Sequence, residues 1–236
     1  MTVNLTPRLY AVASLVRGGG IVADIGTDHG YLPVYLLQTG KVKSAVAADV
    51  RKMPLKNAEK SAERYALTDK ISFRLSDGLK EFSETDADEY IFAGMGGTLI
   101  AQKLTETPWV KNPSLHFVFQ PQSRAEDLRK FLFENGFETE REVAVSEGRR
   151  VYITFDAKYS GVTKPFKPSD CFIGKLPHTE NAVRHLSQQL LRLKEKHDAY
   201  KTVGRLDEAR ELSEIIADIE KFITAPVCYE DEKGDF

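Results

Sequence analysis

The sequence predicts an α/β fold: a doubly wound, mostly parallel sheet that ends in an antiparallel hairpin, followed by an α-helical coiled-coil hairpin. Three observations carry this. Short apolar, β-branched runs alternate with amphipathic stretches as far as Asn135, the rhythm of βαβ units. Two strand-like runs then follow with only SEGRR between them, too little chain for a helix, so they pair antiparallel. Towards the C-terminus, two apolar stripes step by three and four on either side of Val203-Gly204.

Taken in order, Thr6 caps an opening helix that has Pro7 at its first position and Leu5 as the staple residue. Leu9, Val12, Ala13 and Val16 recur at helical spacing until the glycines at 18–20. Parallel strands are expected at 21–25, 44–48, 71–75, 90–93 and 115–119, with helices near 31–38, 53–65, 97–106 and 124–135. The antiparallel pair is 137–145 and 151–155. Residues 1–157 thus form the sheet domain, and 158–177, with three prolines, reads as a linker. Residues 178–224 form the helical hairpin, seamed by Leu186, Leu190, Leu193, His197 and Tyr200 against Leu206, Ala209, Leu212, Ile216, Ile219 and Ile223. The acidic tail 225–236 reads as disordered.

Composition narrows the classes. Of 236 residues, 42% are hydrophobic and 29% charged, with a net charge of −2, an ordinary balance for a globular chain. No apolar run approaches a membrane span, and MTVNLTPRLY lacks the features of a signal peptide. Cys171 and Cys228 have no metal-ligand companions and read as reduced, unrelated thiols. The expectation is a cytoplasmic protein with no membrane or metal partner. Since the chain has no basic surplus, any contact with nucleic acid has to come from a local patch.

VADIGTDHGYL (22–32) falls at the first strand-to-helix turn, where a doubly wound sheet binds its ligand. It is not a dinucleotide fingerprint, because Gly26 is followed by Thr27 and Asp28, and a carboxylate there repels a pyrophosphate. S-adenosylmethionine has no phosphate and carries a sulfonium and an ammonium, so it suits such a loop. Asp24, Gly26, Thr27, Asp28, His29 and Gly30 are the cofactor candidates, with Asp24 shaping the loop and His29 donating to the cofactor carboxylate or ordering the turn. Asp49 ends the second strand, where it can take both ribose hydroxyls. Asp77 follows the third, where it can accept from the adenine amino group while Gly78 leaves room for the ring. Each acid alone reads first as a helix cap or turn residue and only second as a ligand contact. Three at the ends of successive parallel strands face one crevice. A second cluster, Gly94, Met95, Gly96 and Gly97, ends the fourth strand and either admits a flat substrate against the backbone or packs a helix closely on the sheet.

With ADIGTDHGYLP, IFAGMGG, Gln120-Pro121 and LRKFLFENGF in view, the stretch from Arg8-Leu9 to about Phe155 resembles the bacterial tRNA methyltransferases that modify N1 of the adenine at position 22. The resemblance implies a Rossmann-like class I methyltransferase domain, S-adenosylmethionine as cofactor, tRNA as partner, and an appended coiled coil. Three positions depart from the family: Asp49 stands where Glu is expected, Gln122 where Asn is typical, and Lys175 follows Gly174 in place of proline. The expected reaction is methyl transfer to N1 of an adenine in tRNA. The alternatives are a methyltransferase of a small molecule or protein, and a non-catalytic RNA-binding module on the same fold. Asp28 is the catalytic candidate, as acceptor for the adenine amino group, or else it binds the cofactor ammonium. Arg8, Tyr31, Gly96 and Gly97 are the substrate candidates, and Gly94 and Met95 join the cofactor candidates; Tyr31 and Met95 flank the crevice, where each either packs in the core, the simpler reading, or stacks on or walls the target base. Arg51, Lys52, Lys56, Arg149, Arg150, Arg192, Lys194 and Lys196 are candidate phosphate contacts. A monomer, or a weak dimer through the coiled coil, is expected.

Overall fold

Alternation of side chains along each parallel strand sorts the sheet into two apolar faces, and the helices cover both. The computed structural model describes residues 2–226, so the tail from 227 onwards, Cys228 included, lies outside the described residues. The strands are β1 (Ile21–Ile25), β2 (Ser44–Asp49), β3 (Ile71–Leu75), β4 (Glu89–Ala93), β5 (His116–Gln120), β6 (Phe137–Glu147) and β7 (Arg150–Tyr159). They form one sheet in the order β3-β2-β1-β4-β5-β7-β6, parallel through β5 and antiparallel where β7 joins β5 and β6. The order reverses between β1 and β4, which opens a crevice at their carboxyl ends.

Helices α1 (Pro7–Leu15), α2 (Tyr31–Gln38) and α3 (Lys52–Arg64) bury Val12, Leu36 and Ala58 against Val22, Ala47, Ile91 and Val118. On the other face, α4 (Gly97–Thr105) and α5 (Ala125–Glu134) bury Ile100, Leu104, Leu128 and Leu132 against Ile25, Phe92, Phe117 and Phe119. The expected start of α1 is present: Pro7 opens it, and the Thr6 hydroxyl accepts from the Leu9 N–H at 3.5 Å.

The antiparallel strands outrun their expected ends. Glu147 pairs with Arg150, so the loop tightens to Gly148-Arg149. β7 continues to Tyr159 because it has a neighbour on each side, and Asp156 and Ala157 are fully buried there. The stretch expected to be a plain linker contains a short helix, α6 (Asp170–Ile173), and is fastened to the sheet. Arg129 and Glu142, both buried, form a two-pronged ion pair (Nε–Oε1 2.9 Å, Nη2–Oε2 3.3 Å). Arg129 Nη1 also donates to the Cys171 and Phe172 carbonyls, and the Lys175 N–H donates to Glu142 Oε2 at 2.8 Å. Cys171 is buried with its thiol pushed up to about 11 by that burial, an inert position.

Helices α7 (Glu180–Thr202) and α8 (Leu206–Thr224) fold back on each other around Gly204. Leu186, Leu193, Leu212, Ile215 and Ile219 are buried between them, with Leu190, Tyr200, Ile216 and Ile223 at the margin. Two seam positions differ from expectation. Leu206 opens α8 at the turn and stays exposed, and Ile215, three residues on from Leu212, takes the buried place expected of Ile216. Among the described residues no helix is long and apolar enough to cross a membrane.

At the amino ends of the central strands, away from the crevice, the first residues of β4 and β5, Glu89 and His116, are buried and bonded at 2.8 Å. Glu89 also accepts the Arg17 and Gly18 N–H groups, which anchors the chain just after α1. His116 Nε2 lies 3.4 Å from Asp156 Oδ2, within ion-pair reach but without a well-aligned hydrogen bond. Burial alone lowers the imidazole pKa, but the two carboxylates outweigh it and hold the pKa above the usual value. Burial would likewise raise Asp156, yet His116 and Arg141 pull it down to about 2.

Candidate active site

Three strand ends build the crevice. β1 delivers Asp24 and turns at Gly26, whose φ of 84° lies in the left-handed region that favours glycine. The Gly26 and Thr27 N–H groups both donate to the Ala48 carbonyl at 2.8 Å, so the turn is fastened to β2. Gly30, φ 66°, starts α2, and a Cβ there would come within 2.9 Å of the Ala58 Cβ, so this glycine lets α2 approach α3.

Asp24 is only 6% exposed. Burial pushes its carboxyl up to about 6. The nearby Thr27 hydroxyl opposes the rise, without making a well-formed hydrogen bond, and the Asp49 charge adds to it. Neither neighbour is a cation. The expectation that Asp24 holds loop amides is not met; the carbonyl of Ala48 does that work. Asp49, also buried, accepts from the Arg51 N–H at 2.8 Å, with the Arg51 Nε at 3.4 Å. Register sets Leu75 beside Asp49, and Val50 follows it, both apolar and exposed (47% and 58%). Sequence reasoning missed these two. The signal was a hydrophobic residue directly after, or in register with, a strand-ending acid.

Asp77 differs from expectation. Its two oxygens are held by Lys103 Nζ at 2.8 Å and Lys80 Nζ at 2.7 Å, which lower its pKa. A Cβ on Gly78 would meet the Lys103 side chain at 2.7 Å, so Gly78 makes room for that lysine stem rather than for a ring. Lys103 is buried, and the signal was visible: it stands three residues after Ile100 and one before Leu104, on the apolar face of α4.

The mouth of the loop is polar and flat. The Asp28 side chain is 70% exposed, with Oδ2 at 3.3 Å from His29 Nε2. The His29 ring stacks on Tyr31, with centroids 5.3 Å apart and planes 13° from parallel. Tyr31 is therefore not a core residue. Met95, half-buried, lies over the loop: its Sδ would be 3.3 Å from a Cβ at Gly26.

The second glycine cluster divides its work. Gly97 packs against the Arg124 carbonyl with no room for a Cβ, and its N–H donates to the Ser123 carbonyl at 2.7 Å. It joins α4 to the chain after β5 instead of facing a substrate. Gly96 bridges to Ser123 and accepts from the Ile100 N–H, and the Met95 carbonyl accepts from the Gln122 N–H at 2.7 Å. Only Gly94 faces the open side, where a Cβ would lie 3.6 Å from Arg8 Nη1 and 3.8 Å from Gln122 Oε1. Arg8 donates to Gln120 Oε1 at 2.6 Å, and its guanidinium lies 5.7 Å from the Tyr152 ring centroid. Gln120 is fully buried, and neither it nor Tyr152 stood out as a contact from sequence.

Gln122, Ser123 and Tyr152 also border a cleft of about 1100 Å³ between α5, the β6–β7 hairpin and the helical pair. Arg150, Arg192 and Lys196 line it, as does His185, whose burial, reinforced by Arg129, pushes its pKa down to about 4. Among the other expected phosphate contacts, Lys194 is paired with Glu220 at 2.6 Å and Arg51 with Asp49.

Residues 5–155 match the family described as a methyltransferase domain. The tRNA (adenine(22)-N(1))-methyltransferase of Bacillus subtilis is 30% identical over 206 residues, covering 78% of this chain and 87% of that one. A Streptococcus pneumoniae structure, described as a candidate tRNA (m1A22) methyltransferase in complex with S-adenosyl-L-methionine, superposes with a TM-score of 0.79 at 31% identity, covering 93% of this chain and 100% of that one. An M. capricolum tRNA methyltransferase bound to S-adenosyl-homocysteine has a TM-score of 0.75 at 24% identity, covering 93% and 97%, a likeness that speaks for the fold alone.

Proposed function

We infer the activity from the kinship just given: this chain belongs to the family of tRNA (adenine-22-N1)-methyltransferases, within the methyltransferase-domain class. It transfers a methyl group from S-adenosylmethionine to N1 of an adenine in tRNA, with position 22 as the expected target. The observation that supports this most directly is Asp24, a buried carboxylate whose charged neighbour is another acid. Such a site is incomplete without a positive ligand. The residues present fit this cofactor: Asp24 for its positive charges, Asp49 for ribose hydroxyls, and Val50 with Leu75 as an apolar wall for its base. Asp77, with both oxygens on lysines, is a lesser contributor than the sequence suggests.

When bound, S-adenosylmethionine supplies a methyl group on a positively charged sulfur. The chain's own task is to bring N1 into line and keep water out, since the N1 lone pair needs no base to release it. N1 lies on the pairing edge, so the nucleotide has to leave its helix. The flat His29–Tyr31 pair at the mouth is a surface on which a flipped base can rest. As the ring gains positive charge, its amino group turns more acidic. Asp28 accepts from that amino group in this reading, which leaves the cofactor's positive charges to Asp24, and the Gly94 carbonyl is the second acceptor, because the Met95 and Gly96 carbonyls already have donors. Arg8 takes the phosphate of the target nucleotide, and Arg150, Arg192 and Lys196 take the backbone beyond it. The enzyme works in the cytoplasm, as a monomer or a weak dimer.

The test is nucleoside mass spectrometry of unmodified tRNA incubated with the purified protein and labelled S-adenosylmethionine, with Asp28→Ala run alongside. Labelled 1-methyladenosine that is lost in the variant supports donor, substrate and atom together. Cofactor binding without any labelled nucleoside would sink the tRNA reading and favour a small-molecule or protein substrate.

A further inference from the structure

Arg8 is held at both ends by parts of the chain far from it in sequence. It is the second residue of α1, where a backbone N–H has no partner within the helix. The Glu147 carboxylate, from the end of β6, accepts that N–H at 3.1 Å and so places a negative charge at the positive end of α1. The Arg8 guanidinium donates to Gln120, whose own Nε2 donates to the Pro121 carbonyl at 3.1 Å, which fixes the amide. One guanidinium N–H is thus used for orientation, and among the described residues the rest of the fork has no other hydrogen-bond partner, which leaves it for a phosphodiester. On its other side, the same hairpin turn is clasped by the start of α7. The Ser146 hydroxyl donates to Asn181 Oδ1, and Arg184 reaches the Ser146 hydroxyl at 3.5 Å and the Arg149 carbonyl at 3.1 Å.

We propose that Glu147 is a positioning residue for Arg8, and that the 146–149 turn links the helical hairpin to the seat of the target nucleotide. This rests on the reading of Arg8 as a tRNA contact. An RNA that presses on α7 acts on Asn181 and Arg184, then on the turn, then on the backbone that carries Arg8. The helical pair thereby influences turnover as well as affinity, although it contributes no reacting group.

The experiment compares Glu147→Ala, Glu147→Gln, Arg184→Ala, Arg8→Ala and the Glu147→Ala/Arg8→Ala double variant. It measures kcat and KM on unmodified tRNA, tRNA affinity by fluorescence anisotropy without cofactor, S-adenosylmethionine affinity by calorimetry, and melting temperature. Glu147→Ala is expected to lower kcat/KM about tenfold, the size of one hydrogen bond involving a charged group, with cofactor affinity unchanged. Glu147→Gln, which keeps an acceptor oxygen, should remain within about threefold of wild type. Arg184→Ala should show a smaller loss in the same direction, and Glu147→Ala should cost nothing further once Arg8 is alanine. Losses that multiply in the double variant, failure of glutamine to rescue, or a parallel fall in cofactor affinity would each overturn the proposal. A wild-type protein inactive on tRNA would overturn the underlying function as well, so the two failures are told apart by the wild-type control.

Discussion

Replacing Asp24 with asparagine should make the ligand-free protein more stable while weakening its hold on the cofactor. The carboxyl is raised from 3.8 to about 6 inside the fold, chiefly by burial. Two pKa units correspond to about 3 kcal/mol, the cost of keeping this group ionised in the ligand-free site. An acid raised on folding is at no disadvantage below pH 3.8. The cost grows between there and about 6, and is complete above it. Asparagine keeps the shape and removes the charge. For a chain of this length each kcal/mol moves the melting temperature by about 2–4 °C, so full relief at pH 8 gives a rise of at most about 12 °C. Thermal melts of both ligand-free proteins from pH 4.5 to 8, with calorimetric titration of S-adenosylmethionine, measure both effects. The gap should open as the pH rises, and cofactor affinity should fall at least about tenfold with the loss of one charge-assisted contact. A variant no more stable than wild type at pH 8, or a gap that does not change with pH, would refute the argument that the buried charge awaits a cation.

Three other outcomes follow from buried groups elsewhere. His116 has a folded pKa above 6.5, so its stabilisation is whole below that value and is lost as pH rises through the folded pKa; Asp156, held near 2, contributes above pH 3.8 and loses its contribution as pH falls towards 2. Melts of His116→Gln should therefore lie furthest below wild type below pH 6.5 and converge with it as the pH rises through the folded pKa, a convergence whose absence would exclude an imidazolium. Arg129→Met leaves Glu142 buried without its counter-charge and should cost about 3–5 kcal/mol in urea unfolding, with much of the loss recovered by adding Glu142→Leu. Gly97→Ala drives a methyl group into the Arg124 carbonyl and should cost about 1–3 kcal/mol; a neutral result in the same unfolding assay would show that the α4–β5 junction yields more easily than its packing indicates.

The readable features were local ones. Short apolar runs placed every strand, and ADIG and AAD put carboxylates at two strand ends because a strand, its turn and the next helix start are neighbours in sequence as in space. What escaped depended on partners distant along the chain. Asp77 looks free until Lys103 arrives from α4, and Gly78 looks like space for a ring until the same stem fills it. Glu147 reads as a turn residue of a hairpin, yet it meets α1 from 139 positions away. Glu89, His116 and Asp156 look like scattered surface charges, and only sheet order shows that the first two start neighbouring strands and that Asp156 lies on the next one. The three prolines in 158–177 suggested a tether, because one arginine in α5 and one glutamate in β6 carry no mark of fastening a segment thirty or more residues away.

That fastening bears on what the helical pair can measure. With α6 bolted to α5 and β6, the root of the pair cannot swivel freely, and α7, 23 residues, reaches about 34 Å at 1.5 Å per residue. A rod of that length on a stiff base is a gauge. With RNA on α7, as proposed, it sets how far from the crevice a second part of a folded RNA is gripped, where a flexible tether would accept any distance. On the proposed reading, in which RNA presses on α7, an RNA with a correct target loop but shortened by a few base pairs in the stem that meets α7 should be turned over poorly.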